Sequence, residues 1–159
     1  MAETGTRHRN DSHKNLVGFV VGDVHYAIEI SKVREIVNPL DVTHLPHMPF
    51  EVAGVADHRG DVVPVIDLRL RFGLDATRSR GTKWILVIVQ KRIVGLVVDA
   101  VTEVFGAHND EIRPTPEVGG NREARGITGV AKHDGKLTFV LDTARFVEII
   151  DALSASGAI

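Results

Sequence analysis

The side chains able to do chemistry in this chain are scattered, and few stand at a spacing that chemistry requires. Eight histidines could bind a metal, but only His44 and His47 are close in sequence, and Pro46 between them keeps them off a common helix face. With no cysteine and no third anchor nearby, that pair falls short of a zinc site and reads as two solvated loop histidines. Five serines (Ser12, Ser31, Ser79, Ser154, Ser156) could serve as nucleophiles, yet each falls in a tail, a linker or a helix-capping position. None sits in a strained strand-to-helix elbow. Carboxylate pairs such as Asp110-Glu111 fall in exposed turns, where solvated charge is the expectation. No catalytic residue, metal ligand or cofactor is therefore assigned. The densest polar grouping is Asp57, His58, Arg59, Gly60 and Asp61, inside GVADHRGDVVPVIDLRLRFG (54–73). A charged tight turn between two apolar runs, with Asp67 opening a short amphipathic segment, presents side chains to a partner. Recognition is the expected chemistry.

Composition narrows the partner. The chain of 159 residues, 43% of them hydrophobic, can build one substantial domain or two small fused ones. Its 19 basic and 21 acidic residues are interspersed, giving a formal net charge of −2, so it lacks the basic face that nucleic-acid binding needs. One Trp and one Tyr make a poor stacking platform for bases. The absence of cysteine favours a reducing compartment. The N-terminal segment has no apolar signal region, and apolar runs such as 84–89 are too short to span a bilayer, so a cytoplasmic domain is expected.

The elements that must hold the polar turn repeat. Residues 22–36 (GDVHYAIEISKVREI) match residues 90–104 (QKRIVGLVVDAVTEV) without a gap. Each copy has a polar turn, a β-rich run, a capping residue (Ser31 or Asp99) and then an apolar pair three apart, which predicts a short helical turn. A second pair of blocks follows in the same order: Gly54-Val55 matches Gly129-Val130, and RGDVVPVIDL (59–68) matches DGKLTFVLDT (134–143). Each second block is a Gly-containing turn, a strand and an Asp able to cap a helical turn. Strands are predicted at 16–21, 24–30, 52–56, 62–66, 84–90, 93–98, 126–131 and 137–141, with 74–82 linking the two halves. Residues 110–126 read as irregular, and 143–153 as an amphipathic helix through Phe146, Ile149, Ile150 and Leu153. The whole is mainly β, two small barrels in tandem. A disordered tail is expected over 1–15, the domain over 16–150 with halves near 16–81 and 82–150, and a short tail over 151–159.

These motifs resemble the CheW-like domain, the coupling protein of bacterial chemotaxis arrays. Besides the 54–73 block, the resemblance is carried by LVGFVVGDVHYAIEISKVREIV, HLPHMPFEVAGV, WILVIVQKRIVGLVVDAVTEVF, IRPTPE and ITGVAKHDGKLTFVLDTARF, covering about residues 16–150. It implies two SH3-like β-barrels packed side by side, and a non-enzymatic adaptor at membrane receptor arrays. The implied partners are the chemoreceptor tip and the regulatory domain of a CheA-like histidine kinase. Carried over by position, it implies receptor contacts at Val33, Glu35, Arg59, Val101 and Val104, with Gly54 and Gly60 shaping the turn. Kinase contacts are implied at Val42 and Val62. Where the family has Asn-Leu before Arg-Gly, this chain has Asp57-His58, which alters the charge of the loop. Rival readings are the coupling protein of a divergent system, a domain that binds receptors without kinase, and a small-ligand barrel, which requires a deep apolar pocket.

Overall fold

The computed structural model describes residues 13–115, 126–157 and 159. Ten strands form two five-stranded sheets: β1 (His13–Val21), β2 (Val24–Glu29), β3 (Val33–Val37), β4 (Val52–His58), β5 (Asp61–Asp67), β6 (Lys83–Val89), β7 (Arg92–Val98), β8 (Ala100–His108), β9 (Ile127–His133) and β10 (Lys136–Leu141). Two short α-helices, α1 (Leu68–Arg71) and α2 (Val147–Ala155), and three 3-10 turns, Ile30–Lys32, Asn109–Glu111 and Thr143–Phe146, complete the order among the described residues. One sheet runs β3-β6-β7-β5-β4 and the other β8-β1-β2-β10-β9. We refer to these as barrel one and barrel two.

The repeat is real in three dimensions. The parallel pairings have the same register, Val65 opposite Gly95 in barrel one and Val140 opposite Ala27 in barrel two. Each barrel is closed by a single bridge from the segment after its edge strand, Thr43 to Val55 and Arg113 to Val130. The paired aspartates cap as expected: Asp67 accepts from the Arg69 N–H at 2.9 Å, and Asp142 from the Ala144 N–H at 3.0 Å.

The sheets do not follow the expected halves at 16–81 and 82–150. Barrel one takes β3, β4 and β5 from the first half with β6 and β7 from the second, and barrel two takes β1 and β2 with β8, β9 and β10. The chain crosses between barrels at a 3-10 turn, Ile30–Lys32, and again at Asp99. Residues 74–82 join α1 to β6 within barrel one, so they are not the link between barrels. Each repeat thus places its first two strands in one barrel and its last three in the other.

That division overturns the two predicted helical turns. Residues 33–37 and 100–108 are strands, and each carries a β-bulge at the matching place. Val33 and Glu35 face the adjacent residues Val87 and Leu86, while Val101 and Val104 face Phe19 and Val17, two apart. The extra residue stretches the period-2 apolar spacing to three, which mimics a helix. Neither predicted cap caps: the 3-10 turn has no side-chain cap, and Asp99 instead accepts from the Gly22 N–H and from Arg69 Nη1, both at 2.7 Å.

Alternation decides the packing. Along β1, β2, β6 and β7 one set of side chains, including Phe19, Ile28, Ile85, Val87 and Leu96, points into a core shared by both barrels. The other set fills each barrel, with Trp84, Leu86, Val63 and Val65 in one and Leu16, Ala27, Ala107 and Val140 in the other. Strands buried on both faces explain the unbroken apolar runs of the sequence. Ile149, Ile150 and Leu153 of α2 join the shared core, so the helix passes through the expected domain end at 150. At the other end, residues 13–15 are not tail: they pair with β8, and Lys14 bridges Glu29 at 2.8 Å. The rest of the expected N-terminal tail, and residues 116–125 of the irregular stretch, lie outside the described residues.

Candidate recognition surface

Each barrel carries the same corner, built from a bulge and a hairpin turn. In barrel one β4 and β5 are joined by Arg59 and Gly60, with φ of 53° and 87°. Positive φ at both central residues is the two-residue turn that matches strand twist, and it suits Gly60 while holding Arg59 in an uncommon conformation. Asp57 Oδ1 accepts the Gly60 N–H at 2.9 Å and closes the turn on itself. The β3 bulge aims Glu35 at this turn. Arg59 Nη2 donates to Glu35 Oε1 at 2.9 Å, and His58 Nε2 donates to Glu35 Oε2 at 3.2 Å. Two of the expected receptor contacts, Glu35 and Arg59, therefore neutralise each other, and the departure at Asp57-His58 is absorbed within the corner.

In barrel two the equivalents are Glu103 for Glu35, His133 for His58 and Asp134 for Arg59. His133 Nε2 donates to Glu103 Oε1 at 2.7 Å, and Asp134 and Gly135 take φ of 51° and 75°. Phe105 stacks on the His133 ring, centroids 3.8 Å apart and planes 10° from parallel. These histidine–glutamate pairs were not predicted. Running the second alignment three residues on from Gly54-Val55 and Gly129-Val130 pairs His58 with His133, and the first alignment pairs Glu35 with Glu103, so the signal was in the repeat.

The other expected contacts divide by barrel. Val33 and Val101 lie half-buried at the margin of the shared core, and Val104, on the outer face of β8, is 56% exposed. Gly54 lies in β4 well before the turn, and its place there has another cause. At φ 146° a Cβ would come within 2.3 Å of the Thr43 carbonyl oxygen and 2.7 Å of Val42 Cγ1. Gly54 therefore lets the closing segment cross its barrel rather than shaping the turn. Val42 packs on the barrel-one core and is half-buried, whereas Val62 is 57% exposed beside a cleft of about 530 Å³ that also takes in Pro64, Arg92 and Ile93. His44 and His47 are exposed on the β3–β4 connection.

Burial pushes the Asp67 carboxyl above its usual value, against the opposing pull of the Arg69 and Leu70 N–H groups. Burial likewise lowers the Arg71 guanidinium, which lies over the Phe146 ring at 4.7 Å. Both perturbed groups support the helical segments and stand apart from the corners.

Both barrels are filled with their own side chains and carry polar groups on their outer turns. Among the described residues, no helix is long and apolar enough to cross a membrane. The chain belongs to the CheW-like domain family, which matches it over residues 15–151. It is 33% identical to the chemotaxis protein CheW of Rhizobium meliloti (strain 1021) over 137 residues, 86% of this chain and 88% of that protein. The chemotaxis protein CheW of Helicobacter pylori is 35% identical over 134 residues, 83% of this chain and 80% of that protein. The scaffolding protein TtCheW from Thermoanaerobacter tengcongensis has the same fold, with a TM-score of 0.75 at 33% identity, covering 81% of this chain and 84% of that one.

Proposed function

We propose that this chain is a non-enzymatic adaptor that couples chemoreceptors to a CheA-like histidine kinase in a chemosensory array. The observation that carries the reading is similarity over nearly the whole chain to proteins named for chemotaxis and to a scaffolding protein of the same fold. The geometry supports it, since the side chains offered to partners stand on rigid corners and strand edges. The receptor surface runs from Val33, Glu35, Arg59 and Gly60 on barrel one to Val101 and Val104 on barrel two, with Gly54 holding its scaffold closed. The kinase surface centres on exposed Val62, with half-buried Val42 as its second residue. The protein works in the cytoplasm and reaches the membrane through receptor contacts. Calorimetric titration with a receptor cytoplasmic tip, and separately with a kinase regulatory domain, tests this. Both are expected to bind. Binding to the receptor alone would make the chain a competitor, and binding to neither would overturn the reading.

A further inference from the structure

We propose that the barrel-two corner formed by Glu103, His133 and Asp134 is a binding site for a divalent ion of intermediate softness, such as Zn²⁺ or Ni²⁺. Imidazole and carboxylate together suit such ions. One potential ligand atom from each residue lies within 4.8 Å of the others. His133 Nε2 is 2.7 Å from Glu103 Oε1 and 3.6 Å from Asp134 Oδ2. An ion bound at about 2.0–2.2 Å to nitrogen and oxygen holds its ligands roughly 3–3.5 Å apart. Small side-chain movements therefore convert the observed spacing into coordination.

Three independent features hold the ligands. Stacking on Phe105 fixes the imidazole plane, the left-handed turn fixes the backbone that carries Asp134, and the β8 bulge aims Glu103 across to β9. A cavity of about 180 Å³ beside them takes in His25, Thr102 and Thr138, leaving room for waters to complete the shell. Lys136 also lines that cavity, but its single exposed charge opposes two carboxylates. On binding, the ion takes the Nε2 lone pair, and the proton now donated to Glu103 leaves the ring or moves to Nδ1. Barrel one is a built-in control. There Arg59 stands in the place of Asp134 and occupies Glu35, so a cation is excluded from an otherwise equivalent corner.

The test is calorimetric titration of the chelator-treated full chain with ZnCl₂, with imidazole and backbone amide resonances followed by NMR. One ion should bind, shifting the His133 ring and the Asp134 amide. His133→Ala and Asp134→Arg should each weaken binding by about tenfold or more, loss of even a supporting group being worth tenfold to hundredfold. Asp134 is 76% exposed at its side chain, so Asp134→Arg should keep the native amide spectrum and recreate the barrel-one arrangement. His13 and His108, with ring centroids 5.1 Å apart, are the chief competing pair. Shifts confined to those two rings, or unchanged affinity in folded Asp134→Arg, would overturn the assignment.

Discussion

Barrel one and barrel two place the same corner on the same backbone and give it opposite chemistry. Both have a bulged edge strand delivering a glutamate, a histidine ending the next strand, and a turn with two positive φ values. Barrel one then sets Arg59 against the glutamate, and barrel two sets Asp134 beside the histidine. The difference shows where function is written in such a duplicated fold. The bulge and the turn are fixed by strand pairing and closure, while the residue at the first turn position is free to change. One corner is closed on itself, and the other has a carboxylate to spare.

The strongest way to break the symmetry is at the closing glycines. Gly54→Ala drives a Cβ into the Thr43 backbone at an unfavourable φ, whereas a Cβ at Gly129 meets first the side chain of Ile112 at 2.8 Å, with the Arg113 carbonyl oxygen further off at 3.2 Å. Overpacking and backbone strain together put the Gly54 cost at about 3 kcal/mol or more, and the Gly129 cost well below it. Thermal melts of the two variants should differ accordingly, and equal melting points would contradict closure by Gly54.

The crossovers come next. Asp99→Ala removes the half-buried acceptor of both Arg69 and Gly22 and should cost about 2–3 kcal/mol. Ser31 is its sequence equivalent but is exposed, so Ser31→Ala should stay within about 0.5 kcal/mol. Urea unfolding measures both, and a comparable loss at Ser31 would show the two crossovers to be held alike.

A smaller effect separates the two capping aspartates. Because burial raises the Asp67 carboxyl in the folded state, its contribution to stability is present in acid and is lost as pH rises through that raised value. Asparagine caps equally well without the charge. Asp67→Asn should therefore melt above the parent at pH 7, with the gap closing towards pH 4, while Asp142→Asn provides the reference. A gap that widens in acid would show the ionised carboxylate to be favoured instead.

The least effect on stability belongs to the barrel-one turn itself. Arg59→Glu breaks an exposed pair worth under about 1 kcal/mol and places two carboxylates together, so the melting point should drop slightly. Receptor affinity should fall about tenfold to hundredfold with kinase affinity unchanged. Equal receptor affinity in the folded variant would remove Arg59 from the contact surface.

What the sequence revealed follows from which signals are local. Eight strands were legible because apolar runs bounded by Gly-containing turns are local, and the Asp67 and Asp142 caps were legible for the same reason. β3 and β8 were not, because a bulge is a property of the pairing: nothing in VREIV says that Leu86 and Val87 share its register. The division of each repeat between the two barrels was hidden likewise, since both connections that cross between barrels are too short to look like linkers. Arg59 and Glu35 were singled out separately, and only the fold shows that they are bonded to each other.

The coupling claim is tested most directly by sedimentation of receptor-bearing vesicles with the kinase regulatory domain, with and without this chain. Kinase is expected to sediment in proportion to added chain, and Arg59→Glu, which is to keep kinase binding, is expected to leave the kinase in the supernatant. Kinase sedimentation that is indifferent to the chain would contradict an adaptor function.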